Sequence, residues 1–103
     1  MMSAPKYDNG KQKWHAMPLV VLEELANVFE AGATKYHKFS CLEGFENQQE
    51  RLWDAMMRHL SKCQVDPLAV DEETGCYHGY QAAWNIIMLT HLEKQQRATN
   101  ENN

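Results

Sequence analysis

Apolar residues recur at helical spacing in three segments of the chain. The first segment begins at Pro18, which the first turn of a helix tolerates, and extends to about residue 31, where Gly32 is expected to end the helix. The second segment covers about residues 47–62, and the third about residues 74–95. The apolar positions are Leu22, Leu25, Ala26 and Phe29, then Leu52, Trp53, Met56, Met57 and Leu60, then Tyr77, Tyr80, Trp84, Ile87 and Met88. Because no strand alternation or internal repeat occurs, the pattern predicts an all-α fold, a small bundle of three main helices.

The two ends of the chain lack this pattern. Residues 1–16 contain Pro5 and Gly10 and predict an extended arm, whereas residues 96–103 are polar and predict a tail that frays or is disordered. Residues 1–95 are therefore expected to form one domain, followed by the polar tail. So short a chain leaves wide apolar surfaces on its helices, and we expect a homo-oligomer, either a dimer or a tetramer, to cover them.

Composition and charge narrow the possible partners. The chain has 44% hydrophobic and 23% charged residues with a net charge of −4, which argues against a nucleic-acid partner, since such proteins usually carry a basic surface. Three cysteines without a C-x-x-C pair predict free thiols, with neither a disulfide framework nor a structural zinc site. The N-terminal residues do not resemble a signal peptide, and no apolar run approaches the roughly 20 residues of a membrane span. The sequence predicts a soluble cytosolic protein that has no membrane partner.

The strongest candidate for chemistry is the segment 71–78, where three carboxylates, a glycine and a histidine crowd the start of the third helix. Carboxylates stabilise a helix N-terminus, which is sufficient to explain Asp71 but does not explain His78. On a helix, His78 shares one face with Ala82 and Asn85. This polar face, with a small residue in its middle, predicts a place where a ligand fits.

Further candidates lie on the first two helices and in the arm. Glu24 adjoins the apolar stripe of the first helix and is the carboxylate there that can point inward. Asp54 and Arg58 are four residues apart and could simply form a surface ion pair. His59 leans toward the apolar stripe, where a lone histidine is more often a core residue than a catalyst. Lys11 follows a glycine and could contact phosphate, although this feature alone is a weak indication.

Five short patterns occur in a fixed order between Lys6 and Leu92. They are Asp8-x-Gly10-Lys11-x-Lys13, Leu22-Glu23-Glu24-Leu25-Ala26 after Pro18, Gly32-Ala33-x-Lys35-Tyr36, Asp54-Ala55-x-x-Arg58-His59, and Asp71-x-Glu73-Thr74-Gly75-x-x-His78 followed by Asn85. Together they resemble the phage dATP/dGTP diphosphohydrolase family, which is similar to the MazG-type all-α pyrophosphohydrolases. The resemblance implies a magnesium-dependent enzyme that hydrolyses dGTP or dATP to the monophosphate and pyrophosphate, in the cytoplasm of a phage-infected cell.

The resemblance also implies roles for particular residues. Hard cations such as Mg²⁺ or Mn²⁺ prefer oxygen ligands, so carboxylates are expected to hold the metal, and histidines are expected to contact phosphate or orient water. The expected metal ligands are Glu24, Asp54, Asp71 and Glu73; the expected catalytic residues are Asp54, His59, Glu73 and His78; and the expected substrate contacts are Lys11, Lys35, Tyr36, Arg58 and Asn85.

Two departures from the family pattern and three alternative functions remain. Asn27 stands where MazG-type enzymes carry the third glutamate of an E-E-x-x-E helix, and Ser40-Cys41 stand where family members tend to carry Asn-Trp.

An HD-type phosphohydrolase is disfavoured, because the chain contains no His-Asp dipeptide. A non-catalytic helical adaptor and a regulatory domain that binds a nucleotide without hydrolysing it stay open.

Overall fold

The computed structural model describes residues 4–101, which form three α-helices connected by loops with short 3-10 turns. The helices are α1 (Glu23–Lys35), α2 (Gln48–Val65) and α3 (His78–Glu101), and the 3-10 turns cover Trp14–Ala16, Leu19–Leu22 and Ser40–Leu42. Within the described residues no strand forms, and one isolated antiparallel bridge joins Val70 to Tyr77. The prediction of a small all-α bundle with three main helices is confirmed.

Helices α2 and α3 form an antiparallel hairpin that holds the core. Residues meet in opposite order along the two helices: His59 with His78, Leu52 with Met88, and Gln48 with Glu93. Leu52 and Met88 are buried together with Leu92, so the apolar stripes predicted from the sequence do face each other. This hairpin holds the buried cluster of the molecule, and the other elements attach to it.

Helix α1 lies on α3, and its backbone does not approach α2. The ring of Phe29 meets Trp84 edge to face, with centroids 6.2 Å apart, and the Tyr80 hydroxyl donates to the Val21 carbonyl at 3.0 Å. Val28 is the buried residue of α1. Because α1 rests on one helix only, it leaves a cleft between itself and the hairpin.

The bounds of the helices differ from the sequence prediction. Helix α1 begins at Glu23 and not near Pro18, because Leu19–Leu22 form a separate 3-10 turn. Gly32 lies inside α1, which continues to Lys35, and the Tyr36 N–H closes the last turn on the Gly32 carbonyl at 3.0 Å. A basic residue in the last turn favours this longer helix through the helix dipole. The start of α3 moves from about residue 74 to His78, because the preceding residues form a loop with Gly75 at φ +76°.

The C-terminal tail was also predicted wrongly over most of its length. Residues 96–101 continue α3 as regular helix. Gln, Arg and Ala are acceptable helix formers, and these residues directly follow the part of α3 that packs against α2. Residues 102 and 103, and residues 1–3 of the predicted arm, lie outside the described residues. No helix between residues 4 and 101 combines the length and apolar character needed to cross a membrane.

Candidate functional site

A cleft of about 1080 Å³ lies between α1, the loop that follows it, and the hairpin of α2 and α3. The three helices and the loop 36–47 each contribute to its lining. This volume lies slightly above the about 300–1000 Å³ typical of sites for small molecules. The cleft is therefore large enough for a ligand with a ring system and a chain of charged groups.

Two buried polar atoms in the cleft lining have no hydrogen-bond partner among the described residues: Trp84 Nε1 and Asn85 Oδ1. Asn85 is only 5% exposed. Since an unpaired buried polar group costs about 1–3 kcal/mol, such atoms are uncommon in folded proteins and call for an explanation. One atom is a donor and the other an acceptor, and both are inaccessible to solvent, so a polar ligand in the cleft can pair with them only after the side chains that cover them shift.

Basic side chains and aromatic rings line the same cleft. Three cation–ring contacts occur there: Lys35 Nζ lies 5.4 Å from the Tyr36 ring centroid, Lys38 Nζ 5.0 Å from that of Phe39, and the Arg51 guanidinium 5.3 Å from that of Phe45. Arg58 adds a fourth basic group, and Asp54 is one of the acidic residues in the lining. Tyr36 and then Glu73 raise the pKa of Lys35, so this ammonium stays charged. The lining suits an aromatic ligand that carries negative charge.

The loop 36–47 adopts an unusual conformation at Phe39, whose φ is +65°. This left-handed region costs a non-glycine residue about 1–2 kcal/mol, and bulky residues rarely occupy it. The His37 Nε2 and Glu43 Oε1 atoms, 2.7 Å apart, connect the two sides of the loop. This conformation places the Phe39 ring, 65% exposed, in the cleft lining.

The loop before α3 is organised by Asp71. Its Oδ1 accepts the Glu73 N–H at 2.9 Å, and its Oδ2 accepts from the Gln81 side-chain amide at 3.2 Å. The Asp71 carbonyl accepts the Gly75 N–H at 2.7 Å, and the bridge between Val70 and Tyr77 closes the loop. The Asp71 carboxylate therefore has a fixed position.

His59 and His78 meet where α2 approaches the first turn of α3. Their Nδ1 atoms lie 2.8 Å apart, so one ring must donate a proton and the other must accept it. Burial lowers the pKa of His59, the charges of His78 and Arg58 lower it further, and Asp71 opposes them. The neutral form of His59 is thus favoured near neutral pH.

The structure brings most of the predicted site residues into two adjacent groups. Five of them line the cleft: Lys35, Tyr36, Asp54, Arg58 and Asn85. Three others form a cluster in which the ligand atoms lie within 4.8 Å of one another: His59, Asp71 and His78. Glu73 is connected to the cleft by its Oε1, which lies 3.6 Å from Lys35 Nζ.

The remaining two predicted residues lie apart from both groups. Lys11 sits in an exposed turn of the arm, where its N–H donates to the Asp8 carbonyl at 3.1 Å. Glu24 lies in the first turn of α1 and accepts a hydrogen bond from Asn27 at 3.1 Å. Neither residue lines the cleft.

The four predicted metal ligands, Glu24, Asp54, Asp71 and Glu73, are not gathered around one point. Among residues 4–101, the cluster of His59, Asp71 and His78 is the group of metal-binding side chain types close enough to share one cation. Among the described residues, these four carboxylates therefore do not form one preformed magnesium site. The role of each carboxylate stays a prediction.

Sequence reasoning did not select several residues that line the cleft or support it. Trp84 was assigned to packing, although it adjoins the predicted Asn85, and Gln81 was passed over although it lies one turn after His78. Lys38, Phe39, Phe45 and Arg51 also line the cleft. Those in the loop have no periodic pattern that could have indicated them.

Comparison with known proteins leads to one family. No curated protein and no solved structure matches the chain. The sequence model of a family described as dATP/dGTP diphosphohydrolase, N-terminal, matches residues 2–102, which is nearly the whole sequence. The chain belongs to the dATP/dGTP diphosphohydrolase family, as the resemblance in its short patterns predicted.

Proposed function

We propose that this protein hydrolyses the purine deoxynucleoside triphosphates dGTP and dATP, releasing pyrophosphate and the monophosphate. The observation that carries the proposal is the unpaired donor and acceptor, Trp84 Nε1 and Asn85 Oδ1, in a cleft lined by basic side chains. A purine edge presents both donors and acceptors, so it can satisfy both atoms once the side chains that cover them shift. The family to which the chain belongs supports the same substrate class.

The walls of the cleft suit the other parts of a nucleotide. Arg58 can bind phosphate oxygens in pairs, and Lys35 adds a charged ammonium. Tyr36 offers a ring on which the base can stack, an interaction worth about 1–3 kcal/mol per base in other nucleic-acid sites. Lys11 reaches the phosphates in this proposal only if the arm moves toward the cleft, because it lies outside the lining.

The reaction is attack of water on the α-phosphorus. The α–β phosphoanhydride bond breaks, pyrophosphate leaves, and the water proton passes to a nearby base. Mg²⁺ or Mn²⁺, when bound, neutralises phosphate charge and is proposed to be required. Asp54 in the cleft and Glu73 beside Lys35 are the carboxylates proposed to hold the cation or accept the proton, and His59 and His78 are proposed to orient water or contact phosphate.

Two features of the setting belong to the same proposal. We place the reaction in the nucleotide metabolism of a phage-infected cell, in line with the family resemblance. We also propose a homo-oligomer, because Trp53, Met57, Ile86 and Ile87 on the hairpin are each 41–51% exposed in the single chain. A molecular mass equal to one chain at micromolar concentration, measured by light scattering, would contradict the oligomer.

A regulatory protein that binds the nucleotide without hydrolysis is the second candidate. The dispersion of the four predicted carboxylates favours it, since no all-carboxylate metal site is preformed among residues 4–101. It shares the cleft and the purine ligand with the proposed enzyme but predicts no product.

Product identification separates the candidates. Purified protein incubated with dGTP or dATP and Mg²⁺ or Mn²⁺ should release pyrophosphate, and an excess of chelator should stop the reaction. Release of inorganic triphosphate would indicate an HD-type reaction instead. Saturable binding without product would support the regulatory protein, and absence of binding would indicate the non-catalytic adaptor.

A further inference from the structure

We propose that His59, Asp71 and His78 bind one divalent cation of the first transition series, in the range from Mn²⁺ to Zn²⁺. The two imidazoles and the carboxylate offer three ligand atoms that lie within 4.8 Å of one another. This site differs in composition from the magnesium site implied by the family resemblance, and it does not depend on the proposed hydrolysis.

The histidine pair is already close to the separation that a metal requires. The Nδ1 atoms are 2.8 Å apart, the distance of a hydrogen bond. Two nitrogens bound to one tetrahedral Zn²⁺ at about 2.0–2.1 Å would be separated by about 3.3 Å. A cation can therefore replace the shared proton if the two rings move apart by about half an ångström and turn so that both Nδ1 atoms face the ion.

The carboxylate of the site is held in place before any cation arrives. Asp71 receives the Glu73 N–H on Oδ1 and the Gln81 amide on Oδ2, and Gln81 is itself only 7% exposed. Each carboxylate oxygen has two acceptor positions, so each keeps one for a metal. A buried amide that orients a ligand carboxylate is the outer support that metal sites commonly have.

The donor set favours a particular class of cation. Imidazole nitrogen suits Zn²⁺ and the other metals late in the series, while Mg²⁺ prefers oxygen ligands and water. Three protein ligands leave at least one coordination position open, as in catalytic zinc sites. Because His59, Asp71 and His78 are only partly buried, an ion and its bound water can reach the cluster.

The test is a titration of the full-length, tag-free protein with Co²⁺ in the absence of nucleotide. Co²⁺ stands in for Zn²⁺ and absorbs visible light when nitrogen ligands bind it. We expect saturation at one ion per chain, and at least tenfold weaker binding in His59→Gln and His78→Gln. The matched control is His91→Gln, an exposed histidine of α3 outside the cluster, which should bind as tightly as the wild type.

A variant that fails to fold would not decide the question, so circular dichroism accompanies each titration and the wild type is tested separately. In NMR spectra of the wild type, traces of Mn²⁺ should broaden the imidazole signals of His59 and His78 first. Equal Co²⁺ affinity in the folded wild type and the folded His78→Gln variant would overturn the proposal. Broadening that first affects exposed carboxylates far from the cluster would overturn it too.

These outcomes are independent of the proposed hydrolysis. Saturable Co²⁺ binding without any turnover of dGTP would support the site and contradict the enzyme. Pyrophosphate release in Mg²⁺ by a protein that does not bind Co²⁺ would support the enzyme and overturn the site.

Discussion

The two loops that connect the helices hold their shapes in different ways. The loop 66–77 is closed by backbone hydrogen bonds, by a bridge between Val70 and Tyr77, and by the carboxylate of Asp71. The loop 36–47 has one 3-10 turn, a contact between exposed side chains of His37 and Glu43, and a residue in a costly backbone conformation. The first loop fixes polar atoms, whereas the second presents rings and cations whose positions are less constrained.

The difference suits the two tasks proposed for the loops. A cation needs ligands that stay within a few tenths of an ångström, and Asp71 in the loop 66–77 meets this requirement. A nucleotide is large and is bound by many weak contacts, so walls that adjust, such as those of the loop 36–47, are acceptable. Substitutions in the two loops should therefore change different measurements.

The largest effect is expected for Glu73→Gln and Asp54→Asn, which should each abolish hydrolysis of dGTP and leave the helical content unchanged. Each substitution keeps the shape of the side chain and removes one negative charge. If Glu73 formed only its exposed ion pair with Lys35, the substitution would change stability little and would leave activity intact. Turnover at saturating Mg²⁺ and circular dichroism measure the two quantities.

A control for this experiment is Glu72→Gln, which removes an exposed charge from the same loop and should leave turnover unchanged. Variants of Asp54 or Glu73 that keep more than about a tenth of the wild-type rate, less than about 1.4 kcal/mol of transition-state stabilisation, would show that these carboxylates do not take part in the chemistry.

A somewhat smaller effect is expected when the unpaired atoms of the cleft are removed. Asn85→Leu should weaken dGTP binding by about 5- to 150-fold, which corresponds to the about 1–3 kcal/mol of a buried hydrogen-bonding group. The unfolding free energy should stay the same or rise, because an unsatisfied polar group is replaced by an apolar one of similar size. Trp84→Phe, which removes Nε1 and keeps a ring, should act in the same direction. A large loss of stability together with unchanged affinity for dGTP would refute this interpretation of the cleft.

Replacing Phe39, the strained residue of the loop 36–47, should change the unfolding free energy and the nucleotide affinity in opposite directions. Phe39→Gly should raise the unfolding free energy by up to about 1–2 kcal/mol, since glycine adopts φ +65° without steric cost, and should weaken nucleotide binding because a ring is lost from the cleft. Urea denaturation and nucleotide titration of the same preparation measure both. A lower unfolding free energy would mean that the ring stabilises the fold more than the conformation costs.

The smallest expected effect concerns the loop 66–77. Gly75→Ala should lower the unfolding free energy by about 1 kcal/mol, because φ is +76° and a Cβ there meets open space, so that only the backbone conformation is penalised. Gly10→Ala is the matched control, with φ +83° and the same open surroundings in the exposed arm. We expect the control to change thermal denaturation less, since the arm can rearrange. Equal losses of stability in Gly75→Ala and Gly10→Ala would show that the loop 66–77 is no more constrained than the arm.

The sequence was sufficient to predict the helices, because apolar residues that recur about every 3.6 positions lie on one face of a helix. The same periodicity placed His78 and Asn85 on the inner side of α3, and the structure puts both at the sites described above. It could not predict that His59 meets His78, since this contact requires the antiparallel pairing of two helices. The left-handed backbone at Phe39 was also beyond prediction, because the residue type disfavours it.

Helix α1 packs against a single helix of the hairpin, α3, and this contact governs the width of the cleft. Swinging α1 outward would break the edge contact of Phe29 with Trp84 and the hydrogen bond from Tyr80 to Val21, together worth about 1–3 kcal/mol. It would also expose Val28, whose burial contributes about 1.5–3 kcal/mol more. Local openings that cost this much free energy occur in folded proteins, so the cleft can widen to admit a bulky ligand while the α2–α3 core stays intact. Amide hydrogens of α1 should accordingly exchange with solvent faster than those of α2, and a purine nucleotide held between the two should slow the exchange in α1.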